Sequence, residues 1–223
     1  MSEDVTFRFG LPYARDRLYL ASSADEFDEE EPYSVWYTLF LDDPIRPWAH
    51  DVMPWRAAAS CRFVPLHPGE DWSLVALSDE GDVHFNYGPS ERTEKIPGAG
   101  LWSDDAVGWG YMQDIRQIGE HLYACGGAGQ VYRRLGADRW SHMDQGLRQD
   151  VAVTERLLPL AIAGPTEDAI YLAGSMSSVG YPPKLHFWNG ESWRELPLPE
   201  SAARLTNMCV ESATRIWLCG AVC

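Results

Sequence analysis

The sequence lacks the segments that would carry the protein into or across a membrane. It contains no run of about 18 consecutive apolar residues, which a transmembrane helix requires. Its first residues, Met1–Val5, are acidic, whereas a secretory signal begins with basic residues followed by an apolar stretch. We therefore expect a cytoplasmic protein with no membrane partner.

Recognisable catalytic and cofactor-binding motifs are absent as well. The sequence has no Gly-x-Ser-x-Gly elbow, no Walker loop, and no His-x-His or His-Glu-x-x-His spacing among its six histidines. Gly126–Gly129 is glycine-rich, but it joins two predicted strands, so a turn explains it better than a phosphate site. His84 and His186 occupy matching positions of a repeat, which favours packing. We predict no cofactor, no metal site and no enzymatic activity.

Cysteine pairs with the spacing of a metal site or a redox motif do not occur. The cysteines number five, which is odd, and none forms a Cys-x-x-Cys pair. Cys125 and Cys219 fall at the same place of a repeat, where Ala173 stands in another copy. We interpret both as small apolar strand residues with buried free thiols.

Basic residues are scarce. Lysine and arginine together number 18, against 33 aspartates and glutamates, which gives a net charge of −15. Nucleic-acid binding needs clustered lysine and arginine, so this composition argues against a nucleic-acid partner. An acidic surface instead attracts a basic protein, and we expect a partner of that kind. A hydrophobic fraction of 45% and ten tryptophans exclude a disordered chain.

The strongest pattern present is a repeat of short apolar strands followed by small turn residues. Leu122–Gly126 recurs as Ile170–Gly174 and as Ile216–Gly220, and a degenerate copy precedes them at Leu74–Ser78. The last residues of the four copies are 48, 48 and 46 residues apart. A period of 40 to 50 residues with short strands and glycine turns is typical of β-propeller blades.

The repeat predicts an all-β fold, a β-propeller of four-stranded antiparallel blades with about four full blades and half of a fifth. In the third blade the inner strand is expected at Met112–Ile118. An open last blade suggests a shortened version of a longer propeller, or ends that meet a partner or a second copy of the chain. We expect one domain over residues 1–223, with blades at 5–54, 56–98, 110–145, 157–198 and 205–223.

The segments Gly126–Arg133, Phe187–Trp193 and Glu195–Pro199 resemble bacterial propellers of the BNR/sialidase-like and photosystem-assembly-factor type. The resemblance covers residues 110–220 and implies an architecture that many functions share. Ser78–Phe85 is a degenerate form of the Asp-box of such proteins. The arginine cluster and the nucleophilic tyrosine of sialidases have no counterpart, so the resemblance implies no glycosidase activity.

Strand order predicts that the longest loops share one face of the propeller. Loops from the second to the third strand of a blade, and loops between blades, emerge on the same side, and here they are Ser22–Tyr33, Gly98–Gly110, Asp144–Glu155 and Ser175–Pro183. The first is crowded with carboxylates, a pattern typical of a solvated loop or of a docking surface for a basic partner. The others carry tryptophan and tyrosine beside aspartate, as protein-binding hot spots do, although Trp102 and Trp109 could instead pack between blades.

We therefore predict a partner-binding face and no catalytic residues. Its predicted members are Asp25, Glu26, Asp28, Glu29, Glu30, Glu31, Tyr33, Trp102, Asp104, Asp105, Trp109, Met176 and Tyr181. The favoured hypothesis is a non-enzymatic, protein-binding propeller of the bacterial immunity type that neutralises a basic toxin. One alternative is an enzyme for a carbohydrate or small molecule, with Asp114, Arg116 and Glu167 in the central channel. Another is an assembly scaffold.

Overall fold

The computed structural model describes residues 5–24, 33–65, 73–86, 91–199 and 204–221. Within these residues, eighteen β-strands form five antiparallel sheets, one after another along the chain. Four sheets have four strands each and the fifth has two. The fold is therefore all-β, with four complete blades and a two-stranded fifth, as the repeat predicts.

The strands of each four-stranded sheet pair in chain order, from an inner to an outer strand. The first sheet consists of β1 Val5–Ala14, β2 Arg17–Ala24, β3 Ser34–Phe40 and β4 Trp48–Met53. The second consists of β5 Ala57–Phe63, β6 Ser73–Ser78, β7 Asp82–Asn86 and β8 Glu91–Lys95. The third consists of β9 Met112–Ile118, β10 His121–Gly126, β11 Gln130–Gly136 and β12 Arg139–His142. The fourth consists of β13 Leu157–Thr166, β14 Ala169–Met176, β15 Pro183–Trp188 and β16 Trp193–Leu196, and the fifth of β17 Arg204–Ser212 and β18 Arg215–Ala221.

The second strands of blades two, three and four are buried on both faces, which explains their continuous apolar sequences. Every residue of β6 is buried, and five of the six residues of β10 are buried. The sheets of these three blades lie between two neighbouring sheets, so both faces of such a strand need apolar side chains. The outer strand β4 is mostly exposed.

The inner strands β1, β5, β9, β13 and β17 surround a common axis. A cavity of about 390 Å³ between them, the axial cavity, is lined by residues of all five strands. These include Arg8, Ser60, Asp114, Leu160 and Asn207. Five sheets arranged radially around one cavity are the defining arrangement of a propeller.

The turn between β10 and β11 shows why glycine recurs there. Gly127–Gly129 forms a single 3₁₀ turn, and Gly129 has a φ of +78°, which side-chain-bearing residues rarely adopt. A Cβ atom at Gly129 would also collide with the carbonyl oxygen of Leu147. The glycines are turn residues, as the sequence indicates.

The prediction that Cys125 and Cys219 are both buried is half wrong. Cys125 is fully buried in β10, and burial raises its pKa well above the usual thiol value. Cys219 is exposed on β18, because one face of the two-stranded sheet has no neighbouring sheet packed on it in the described residues. The described residues also contain no helix long and apolar enough to cross a bilayer.

Candidate partner-binding face

Three of the four predicted long loops, at residues 98–110, 144–155 and 175–183, meet on one face of the propeller. The Gly127 N–H donates to the Tyr111 carbonyl at 3.0 Å, and the Gln149 N–H donates to the Ala128 carbonyl at 2.9 Å. The loop between β14 and β15 of blade four contacts the segment that ends at residue 156, because the Ser177 N–H donates to the carbonyl of residue 156 at 2.7 Å. We call this surface the loop face; it comprises residues 79–81, 98–111, 127–129, 144–156 and 177–182.

Glu80 orders the loop that carries Trp102. Its Oε2 accepts the backbone N–H groups of Leu101, Trp102 and Ser103 at 2.9, 2.8 and 3.1 Å. Three hydrogen bonds to one carboxylate oxygen hold three successive residues in place. Sequence reasoning missed Glu80, because it lies in a short turn of blade two and its partners are more than twenty residues away.

Trp102 projects into solvent from this ordered loop. Its side chain is 80% exposed, and its indole N–H donates to the Tyr111 hydroxyl at 2.9 Å. The exposure rules out the reading in which Trp102 packs between blades. Asp104 and Asp105 are exposed beside it, and Asp105 also accepts the Gly98 N–H at 2.9 Å, which closes the loop.

Trp109 packs against side chains of blade three and of the loop that follows it. It is half-buried, meets His142 edge-to-face at 5.6 Å between ring centroids, and has the Arg148 guanidinium 4.5 Å above its ring. Asp144 accepts from His142 at 3.0 Å and so fixes the imidazole. Trp109 is thus held by packing contacts while part of its surface lines a cavity.

Met176 and Tyr181 lie at the base and near the tip of one loop. Met176 is half-buried against the core between blades three and four. Tyr181 is exposed, and the guanidinium of Arg204 lies 4.7 Å from the centre of its ring. The neighbouring Val179 is fully exposed, so the tip of this loop presents apolar surface to solvent.

The acidic stretch predicted to belong to the face, Asp25, Glu26, Asp28, Glu29, Glu30 and Glu31, lies outside the described residues. Tyr33, which follows it, is half-buried immediately before β3. Further exposed carboxylates of the loop face are Asp150 and Glu155.

A cavity of about 690 Å³, the face cavity, opens in the middle of the loop face. Its size is that of small-molecule sites and of pockets that accept partner side chains. Most of its walls are apolar or aromatic, and two arginines complete them. The principal lining side chains are Leu101, Trp109, Tyr111, Val151, Val153, Arg156, Leu158, Leu160 and Arg204.

Of the three residues proposed for a catalytic channel, Asp114 and Arg116 line the axial cavity, whereas Glu167 does not. Asp114 lies in the axial cavity, where its carboxylate accepts the Ile115 and Ile162 N–H groups at 3.0 Å each and pairs with Arg116 at 3.2 Å. Burial raises the pKa of Asp114, although Arg116 and the amides oppose that shift. The carboxylate ties β9 to β13, with its oxygens already engaged.

Glu167 is not in the channel. It lies in the turn between β13 and β14, where it accepts from His121 at 2.7 Å and from the Glu120 N–H at 2.9 Å. Burial opposes ionisation, but these hydrogen bonds prevail and lower the pKa of Glu167. It joins blades three and four at the opposite face. Among the described residues, no group of three or more His, Cys, Asp or Glu side chains is placed to hold a metal ion.

The chain is similar to a curated protein over most of its length. The chain is 25% identical over 217 residues to the immune protein Tsi7 of Pseudomonas aeruginosa, and the match spans 95% of this chain and 65% of Tsi7. The crystal structure of the Cps50 (Swd1) β-propeller domain of Myceliophteria thermophila is similar over 92% of this chain and 80% of that domain, with 14% identity and a TM-score of 0.39. No family model matches the chain.

Proposed function

We propose that this protein is a non-enzymatic, immunity-type propeller that binds a basic protein toxin through its loop face and neutralises it. The observation that carries the proposal is the rigid display of Trp102 by Glu80 in the middle of exposed carboxylates. The likeness to a protein named as an immune protein over 95% of the chain supports it.

The charges and the aromatic side chains of the loop face have different tasks in such a complex. A net charge of −15 accelerates encounter with a basic partner, and this effect weakens as salt screens it. Exposed apolar side chains then hold the complex by burying surface, with large aromatic residues contributing most. Those available on the loop face are Trp102, Val107, Val151, Val153, Val179 and Tyr181.

The acidic residues 25–31 take part in this binding by strengthening the attraction of a basic partner. We place the action of the protein in the cytoplasm. Segments Gly126–Arg133, Phe187–Trp193 and Glu195–Pro199 also relate the protein to propellers of the BNR/sialidase-like or photosystem-assembly-factor type.

The decisive experiment measures the affinity of the purified protein for the product of the neighbouring gene, the first toxin candidate. Trp102→Ala is expected to weaken binding about 30-fold, because removing a central aromatic anchor costs about 2 kcal/mol. Trp48→Ala is the matched control, since Trp48 is also exposed but lies at the start of β4, away from the loop face. Equal effects of the two substitutions, or no complex, would refute the proposal.

A further inference from the structure

The cavities of the loop face and of the axis carry the opposite charge to the protein as a whole. Four arginines line them, namely Arg8 and Arg116 in the axial cavity and Arg156 and Arg204 in the face cavity. Asp114 is the one carboxylate that lines either of them within the described residues, and it is paired with Arg116. In a chain with 33 acidic residues, this concentration of positive charge is local and specific.

The two cavities are adjacent. Gln113 on β9 and Leu160 on β13 line both of them, so the face cavity leads from the surface towards the axis of the propeller. A group that enters from the loop face therefore meets arginine side chains in both cavities, and in the face cavity no carboxylate of the described residues offsets them. Such an environment favours anions in a confined space where water screens charges weakly.

Arg204 is the arginine best placed to bind an anion in the face cavity. Its guanidinium stacks on Tyr181 at 4.7 Å, and its Nε is buried without a hydrogen-bond partner among the described residues. A buried donor left without an acceptor costs about 1–3 kcal/mol. A carboxylate can satisfy it and a second N–H of the same guanidinium at once.

Arg156 has a different role in the same cavity. Its guanidinium donates to the carbonyl oxygens of Val153, at 2.8 Å, and of Val151. These bonds close the segment 151–156 on itself, so Arg156 shapes the cavity wall and adds positive charge. The recognition of an anion therefore rests on Arg204, while the apolar walls from Trp109 and Leu158 recognise the group that carries it.

We propose that the face cavity takes an apolar segment of the partner protein that carries a carboxylate, and that this carboxylate pairs with Arg204. The inference rests on the proposed function and sharpens it. A partner that is basic over most of its contact surface presents one acidic side chain, or its terminal carboxylate, at the centre of the interface. A free small carboxylate has the same chemistry, and the experiment separates the two sources.

The first arm of the test uses 3-phenylpropionate and its uncharged analogue 3-phenylpropanamide, titrated into the protein by calorimetry. The acid is expected to bind at least ten times more tightly than the amide, as a charged hydrogen bond predicts. Arg204→Met should remove that preference. Arg215→Met is the matched control, because Arg215 lies on β18 outside both cavities and pairs with Glu211 at 3.0 Å. Equal binding of acid and amide, no binding of either, or a preference that survives Arg204→Met would overturn the inference.

A second variant guards against misfolding. Arg204→Lys retains the charge but not the two parallel donors, so it should keep part of the preference for the acid. If Arg204→Met unfolds at a lower temperature than the native protein, the preference of Arg204→Lys for the acid over the amide becomes the test of the proposal. An unchanged preference for the acid in a folded Arg204→Lys protein would show that paired donors are not used, and would contradict the proposed geometry.

The second arm uses the protein in complex with its partner. Arg204→Met should weaken the complex about tenfold, and excess 3-phenylpropionate should compete with the partner. A complex that forms normally but ignores both perturbations would refute the partner as the source of the carboxylate while leaving the proposed function intact. If no complex forms, the proposed function fails, and a preference for the acid in the first arm then marks a small-molecule site.

Discussion

Glu80 shows how a single carboxylate can prepare a binding loop. Its Oε2 binds three consecutive amides of the loop around Trp102, while its backbone carbonyl accepts from Lys95 at 2.7 Å. The loop is thereby fixed before any partner arrives, which lowers the entropy cost of binding. Glu80 is thus as important for the proposed interface as the residues that would touch the partner.

Replacing Glu80 with alanine is expected to loosen the loop and to weaken binding of the proposed partner. The amides of Leu101, Trp102 and Ser103 lose their acceptor, so their hydrogen exchange should accelerate at least tenfold, a change that mass spectrometry detects. Glu191→Ala, in a turn on the opposite face, should leave these rates unchanged. Unaltered exchange at residues 101–103 in Glu80→Ala would show that the loop is ordered by other contacts.

Asp79, next to Glu80, is expected to make stability depend on pH. Burial raises its pKa to about 6; Arg56, 3.6 Å away, opposes this shift and Glu80 adds to it. The folded pKa lies above the unfolded one, near 3.9, so the folded state binds this proton more tightly. The contribution of the protonated Asp79 carboxyl to the free energy of unfolding is complete below about pH 4. It is lost as the pH rises through about 6.

The substitution Asp79→Asn removes that titration. At neutral pH the variant is expected to be more stable than the native protein by on the order of 1–2 kcal/mol, because no buried charge remains to be accommodated. The difference between the two unfolding free energies should shrink as the pH falls from about 7 to about 4. Burial lowers the pKa of His84 and His186, which affects both proteins alike. A pH-independent difference, measured by urea unfolding, would contradict the assignment.

Between elements, β8 and β11 are joined by a buried ion pair. Arg134 donates two hydrogen bonds to Glu94, at 2.9 and 2.7 Å, and the Trp140 indole donates to the same carboxylate at 3.2 Å. The Glu94 side chain is completely buried. The pair links blades two and three, and the Arg134 guanidinium lies over the buried ring of Phe85.

Glu94→Gln is expected to destabilise the fold by about 3–5 kcal/mol, because it leaves the buried Arg134 guanidinium without its counter-charge. The matched control is Glu195→Gln, which breaks the exposed pair with Lys184 at 2.6 Å and should cost less than about 1 kcal/mol. Chemical denaturation measures both. Similar losses for the two variants would mean that the buried pair contributes no more than a surface pair.

The positions of the strands could be predicted well from the sequence, because the same strand pattern recurs in several copies. An ambiguous copy can therefore be aligned with the clearer ones. The predicted inner strand Met112–Ile118 coincides with β9, since strand residues and turn glycines recur at a constant spacing. The long-range contacts could not be predicted in this way. Glu80, Arg204 and the Glu94–Arg134 pair act through residues distant in sequence, and no local pattern marks them. The exposure of Cys219 was not predicted, because it depends on whether another sheet packs against that face of the last blade.

On the scale of the molecule, the outer edge of β18 has no partner strand among the described residues, and Trp217 on it is 60% exposed. The unpaired backbone N–H and C=O groups of such an edge can form hydrogen bonds with a strand of another chain. The expectation of self-association through the terminal blade predicts a dimer in solution, and Trp217→Lys should shift the mass to that of a monomer. Sedimentation measures both, and a monomeric native protein would contradict this expectation.

The distribution of charge and apolar surface leads to the central claim. Carboxylates, exposed aromatic side chains and the face cavity meet on the loop face, whereas several turns of the opposite face, such as residues 119–120 and 189–192, are short. The loop face combines apolar anchors with a cavity, so we expect the proposed toxin there.

Hydrogen exchange of the complex with the toxin tests this claim most directly. The account predicts that binding slows exchange in residues 98–111, 144–156 and 177–182, with the strongest protection around Trp102 and Tyr181. The turns at residues 119–120, 167–168 and 189–192 should exchange as in the free protein. Protection confined to those turns, with the loop face unchanged, would contradict the account.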